Sequence, residues 1–120
     1  MIKLIALDLD GTLLNSEKRV TPYTRDVLRR AMARGVHVTV ATGRMVGGAA
    51  YFGRQVGVNA PLICCNGGVV QGMDAPEPLF MRCLPQETVC RLLTLCHARG
   101  WYASWYIGRE LFVGHFAAAL

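Results

Sequence analysis

The chain has 120 residues, 52% of them hydrophobic, enough for one domain with a real core or for one domain and part of a second. Eleven Arg and two Lys against eight acidic residues give a net charge of +5, but no zinc finger, RNA-binding signature or basic stripe interleaved with exposed aromatics accompanies it. Nucleic acid is therefore not expected as a partner, and a field that favours small anionic, phosphorylated molecules is the simpler use of the charge.

An apolar run of about 20 residues is absent, as is a charged, apolar, small-residue leader, so neither a membrane span nor secretion is expected. The five cysteines, Cys64, Cys65, Cys83, Cys90 and Cys96, are odd in number and form no C-x-x-C pair. They read as reduced, mostly buried thiols in a cytoplasmic protein. His37, His97 and His115 are too scattered to form a visible ligand cluster.

In chain order, residues 3–9 form a short Leu- and Ile-rich run that ends in Asp8, Asp10, Gly11 and Thr12. The run is too short for an ordinary helix and reads as a buried parallel strand, with both acids at its carboxyl end. That edge of an open α/β sheet is where ligands bind. Alternation along a strand turns residues i and i+2 to one side, so Asp8 and Asp10 share a site if strand geometry persists. A strand-ending turn is the plainer reading of the pair, and the EF-hand spacing is absent.

Residues 21–35 open with Thr21 as a cap and Pro22 at the first helical position, carry Val27, Leu28, Ala31 and Met32 on one face, and end at Gly35. The β-branched run 36–41 then reads as a strand leading into Thr42, Gly43 and Arg44. A helix is expected over about 45–56, opened by Gly43 and Arg44, and a helix start offers free N–H donors to an anion. On the residues alone Thr42 reads as a cap before that helix, and Arg44 as either a solvated charge or a phosphate contact.

Residues 61–65 give a third strand, followed by Asn66 and Gly67, an ordinary turn or a functional loop. Two βαβ units in succession predict an α/β fold with a three-layer, Rossmann-like parallel sheet. Residues 69–83 read as a hairpin, 86–99 as a helix with Val89, Leu92, Leu93 and Cys96 at helical spacing, ended by Gly100, and 101–107 with 110–113 as two strands. Trp101, Tyr102, Trp105 and Tyr106 read as core rather than as a substrate wall.

The segment Asp8-Leu-Asp-Gly-Thr-Leu-Leu-Asn15-Ser16, with Ala41-Thr-Gly-Arg44 later, resembles the haloacid dehalogenase superfamily of hydrolases and, within it, the Cof-type phosphatases. The resemblance implies a Mg²⁺-dependent phosphatase of small phosphorylated metabolites. Asp8 would be the nucleophile that forms an aspartyl phosphate, and Asp10 the general acid and base. The Asp8 carboxylate and the Asp10 carbonyl would bind the metal. Gly11, Thr42, Gly43 and Arg44 would receive the phosphoryl group, and Asn66 with Gly67 would lie at the mouth of the site.

The resemblance also implies domain limits: residues 1–83 as the first part of the core and 84–120 as the start of an inserted α/β cap. The family's later lysine and further acidic pair match nothing in this chain, and Lys3 and Lys18 do not fit that motif. We therefore expect a fragment of a protein roughly twice this length. Its first strand would be left as an exposed apolar edge open to self-association. A phosphomutase of the same superfamily and a non-catalytic phosphate-binding or regulatory fragment are the alternative functions.

Overall fold

A computed structural model describes residues 2–107 and 110–115. The chain divides into two compact units, Met1–Arg82 and Cys83–Leu120.

In the first unit, strand β1 (Leu4–Leu7) leads through a wide turn to helix α1 (Pro22–Ala33), strand β2 (His37–Val40), helix α2 (Val46–Val56) and strand β3 (Leu62–Cys64). β1 and β2 are parallel, with Leu4 opposite His37 and Leu7 opposite Val40. A parallel bridge between Ala41 and Ile63 joins β3 to this pair. β4 (Val69–Gln71) and β5 (Phe80–Met81) then extend the sheet beyond β3 in antiparallel fashion, the hairpin expected over 69–83. Two right-handed crossovers stepping the same way across a sheet put their helices on one face, and α1 and α2 do touch each other there.

The chemistry of the ends explains the element limits. Thr21 caps α1, its Oγ1 accepting from the Thr24 N–H at 3.1 Å, and Pro22 occupies the first helical position, where its missing N–H costs nothing. α2 starts at Val46, within a residue of the expected start, and Gly43 and Arg44 form a bend before it. The core joins Leu28 of α1, Val38 and Val40 of β2, Ala49, Phe52 and Val56 of α2, and Leu62 and Cys64 of β3. Leu9, Leu13 and Leu14 from the wide turn join it, as do Ala50 and Val58. Val27, expected on the buried face of α1, is instead exposed.

Among the described residues β1 pairs with β2 alone, and Ile2 and Leu4 stand 72% and 53% exposed.

In the second unit, helix α3 (Gln86–Arg99) packs on strand β6 (Tyr102–Ile107), which pairs antiparallel with β7 (Glu110–His115). Gly100 ends α3 in the left-handed conformation, and the next N–H, of Trp101, bonds back to the Cys96 carbonyl at 2.9 Å. Trp105 and Phe112 sit opposite each other and stack, centroids 6.1 Å apart. No residue of α3 is buried: Val89, Leu93 and Cys96 are half-buried and Leu92 is exposed. Among the described residues, no helix is long and apolar enough to cross a membrane.

Leu62 is fully buried where α2 meets the sheet, so Leu62→Ala is expected to lower stability to urea by about 2–5 kcal/mol. Leu79→Ala, at a position 71% exposed, is expected to change it by about 0.5 kcal/mol or less. Thr21→Ala, which removes the α1 cap, is expected to cost about 1 kcal/mol.

Candidate active site

Three strand ends meet at the carboxyl edge of the parallel sheet. The Ala41 N–H donates to the Leu7 carbonyl at 2.8 Å, and the Thr42 N–H to the Ile63 carbonyl at 2.9 Å. Asp8 follows Leu7 and Thr42 follows Ala41, so these two residues leave adjacent strand ends side by side.

Strand geometry does not persist from Asp8 to Asp10. β1 stops at Leu7, and the chain enters a wide turn closed by hydrogen bonds from Leu13 N–H to the Asp8 carbonyl (3.1 Å) and from Leu14 N–H to the Leu9 carbonyl (2.9 Å). The turn buries Leu9 and Leu13 and leaves Asp8, Asp10 and Thr12 exposed. Strand alternation therefore does not aim the two carboxylates. Gly11 sits at φ +82, where an L side chain is strained even though a Cβ would meet open space. Thr12 Oγ1 donates to Asp8 Oδ2 over a long 3.4 Å.

Asp10 is held by two cations. Arg44 donates from Nε to Oδ2 at 2.7 Å and from Nη2 to Oδ1 at 2.8 Å, a two-point grip on the carboxylate. Lys18 Nζ donates to Oδ1 at 2.9 Å. The Arg44 hydrogen bond first, and the Lys18 hydrogen bond second, keep the Asp10 carboxyl well below the usual carboxylate range. The same bond raises Arg44 above its ordinary value. The guanidinium also lies over the Phe52 ring, 5.0 Å from its centroid.

Thr42 is buried, and its Oγ1 accepts from the Arg44 N–H at 3.2 Å, which bends the chain before α2 rather than capping that helix. The third strand end is tied to the second. Cys65 N–H donates to the Arg44 carbonyl at 2.9 Å, and Asn66 N–H to the Thr42 carbonyl at 3.1 Å. Asn66 Oδ1 would lie 3.0 Å from a Cβ at residue 43, so Gly43 is what lets the two loops approach. Cys65, Asn66 and Gly67 all have positive φ, at 51°, 54° and 89°. Such strain in the non-glycine pair persists where surrounding bonds hold it. Burial, then Cys65, pushes the Cys64 thiol up to about 11, which suits an inert core thiol.

The structure thus brings together Asp10, Arg44, Thr42, Gly43 and Asn66, with Asp8 and Gly11 on the adjoining turn. Arg44 is found on Asp10. Lys18 is the member that reading the sequence missed; its signal lies in Asn15, whose Oδ1 accepts from the Glu17 N–H (3.1 Å) and the Arg19 N–H (2.9 Å) and folds residues 15–19 into a turn. Among the described residues, no three His, Cys, Asp or Glu side chains gather to hold a metal. The Asp8 carboxylate and the Asp10 carbonyl are hard oxygen donors at one loop, and they fit Mg²⁺, which takes one or two carboxylates and completes its shell with phosphate and water.

A parallel βαβαβ sheet with an acidic pair at its carboxyl edge defines a Rossmann-like α/β protein, an architecture that takes its ligands at the strand ends. The chain belongs to the haloacid dehalogenase-like hydrolases, whose family profile matches residues 5–118. It is 40% identical over 81 residues to a protein of Streptococcus pyogenes named as a candidate phosphatase, covering 65% of this chain and 30% of that one. It is 28% identical over 113 residues to pyridoxal phosphate phosphatase YbhA of Escherichia coli, covering 94% of this chain and 42% of that one. The crystal structure of a haloacid dehalogenase-like hydrolase from Bacteroides thetaiotaomicron superposes with a TM-score of 0.82 at 28% identity, over 94% of this chain and 44% of the other. The chain therefore spans less than half the length of these relatives.

Because its proton affinity is depressed, Asp10 contributes stability above the ordinary carboxylate value of 3.8 and loses it only as pH falls through the lowered value. In a ¹³C NMR titration the Asp10 carboxyl signal is expected to stay flat from pH 7 down to about 4. Arg44→Met is expected to move its midpoint up toward 3.8.

Proposed function

We propose that this chain carries the nucleophile and phosphoryl-binding loops of a Mg²⁺-dependent phosphatase of small phosphorylated metabolites, acting through an aspartyl phosphate on Asp8. The observation that carries this reading is the junction of strand ends, which sets Asp8 beside Thr42 while Asp10 reaches across to Arg44. The phosphatase names of the relatives support it, and the pyridoxal phosphate named for the Escherichia coli protein is a small phosphorylated molecule.

Phosphate monoesters resist hydrolysis in water, so dividing the reaction through a covalent intermediate is a gain. An Asp8 oxygen attacks phosphorus, the bond to the leaving oxygen breaks, and that oxygen takes a proton from Asp10. Water then attacks the aspartyl phosphate, Asp10 accepts the water proton, and inorganic phosphate leaves. The resting carboxylate of Asp10 suits the second role. The first requires its proton, and an arriving phosphate dianion raises its proton affinity. Thr42 offers its hydroxyl, and Gly11 the backbone N–H groups of its turn, to the phosphoryl oxygens. When bound by Asp8 and the Asp10 carbonyl, Mg²⁺ supplies the positive charge that offsets repulsion between the nucleophile and the phosphate.

A second reading is phosphate and Mg²⁺ binding without turnover. Release of phosphate from p-nitrophenyl phosphate with and without Mg²⁺ separates the two. The phosphatase reading expects Mg²⁺-dependent release that falls by more than about a thousandfold in Asp8→Asn. Calorimetric binding of phosphate with Mg²⁺ and no release in either protein is the result expected of the second reading.

A further inference from the structure

Lys18 approaches the site from the turn of residues 15–19, beyond the strand end at residues 8–12. Its Nζ lies 2.9 Å from Asp10 Oδ1, the same oxygen that Arg44 Nη2 reaches at 2.8 Å, while Arg44 Nε takes Oδ2. We propose that Lys18 is a positioning residue: together with Arg44 it clamps the Asp10 carboxylate in one orientation for proton transfer. The inference rests on the phosphatase reading for its consequence, and on the geometry alone for the clamp.

Asp10 needs such a clamp because of where it sits. It lies on an exposed turn, one residue before a left-handed glycine, with no strand or helix to fix its side chain. Proton transfer demands a placed group, and small displacements of a catalytic atom cost large factors in rate.

Both cations are themselves held. Arg44 donates its N–H to Thr42, accepts at its carbonyl from Cys65 and lies over Phe52, which is buried. Lys18 has φ 58, a conformation unfavourable for a residue with a Cβ. The Asn15 turn imposes it: Lys18 N–H donates to the Asn15 carbonyl at 2.9 Å, and Asn15 N–H donates to the Arg19 carbonyl at 3.0 Å. A strained backbone that directs a side chain onto a functional group points to use of that side chain. Stability is a poor alternative explanation, because the Lys18 side chain is 62% exposed and exposed ion pairs add little.

The test compares the whole chain with Lys18→Met, which removes only the ammonium, and Lys18→Arg, which restores a cation. Two substrates are used: glycerol 2-phosphate, whose alkoxide leaving group needs a proton, and p-nitrophenyl phosphate, whose phenolate does not. With glycerol 2-phosphate, kcat is expected to fall about tenfold in Lys18→Met, with a smaller fall on p-nitrophenyl phosphate and recovery in Lys18→Arg. KM is expected to stay within about twofold. An unchanged kcat, or a loss confined to KM on both substrates, would overturn the proposal.

Failure of the wild-type chain to turn over either substrate would count against the phosphatase reading, and the clamp is then decided separately by ¹H–¹⁵N spectra of the lysine amines. Lys3 is the other lysine of the chain. Asp10→Asn is expected to shift the Lys18 amine signal and leave that of Lys3 in place. A Lys18 signal that does not move would refute the clamp.

Discussion

The parallel register of β1, β2 and β3 is the constraint on which the site depends. Two backbone hydrogen bonds, Ala41 to Leu7 and Thr42 to Ile63, stop the three strands at one level, so the loops that follow begin together. β2 is buried along Val38, Thr39 and Val40, so a slip of one residue would break the 2.6 Å bond from Thr39 Oγ1 to the Pro61 carbonyl and displace Val38 and Val40 from the core cluster they share with Val56 and Leu62. The hydrophobic pattern of β2 and the packing of α2 against the sheet thus place Asp8 and Thr42, though neither residue takes part in the core cluster. Core burial and site geometry are one problem in this chain.

Electrostatics works on that frame. The carboxylate of Asp10 and the guanidinium of Arg44 lie 34 residues apart in sequence, and their two short bonds join the turn after β1 to the bend before α2. The bend is joined in turn to the loop after β3 through Cys65 and Asn66. Each loop alone has few reasons to hold its shape: one contains Gly11 at positive φ, and another has three successive residues there. Linked, they restrain one another. The placing of charge is therefore more specific than the net excess of basic residues implies.

Much of this was legible in the chain, and the reasons are local. Thr21-Pro22 and Gly100 mark helix ends through chemistry that acts within a few residues, so those limits were readable. Asp8, Thr42 and Asn66 each follow a short apolar run, and the alternation of strands and helices placed those runs in one sheet. What escaped was set by tertiary contact. Leu9, Leu13 and Leu14 enter the core from a wide turn that has neither the helical nor the strand period. Nothing near Arg44 in sequence announces its bond to Asp10, and Lys18 reaches Asp10 only once the Asn15 turn has formed. Val27 and Leu92 fit the apolar faces of their helices by spacing, yet both are exposed.

The central claim is that Asp8, delivered by this junction of strands, takes the phosphoryl group. Acid quenching of the protein during reaction with a phosphoryl donor and Mg²⁺, followed by peptide mass mapping, tests it directly. The account predicts a phosphoryl adduct on the peptide that contains Asp8, absent in Asp8→Asn. An adduct on another residue, or phosphate release that continues in Asp8→Asn without any adduct, would contradict it.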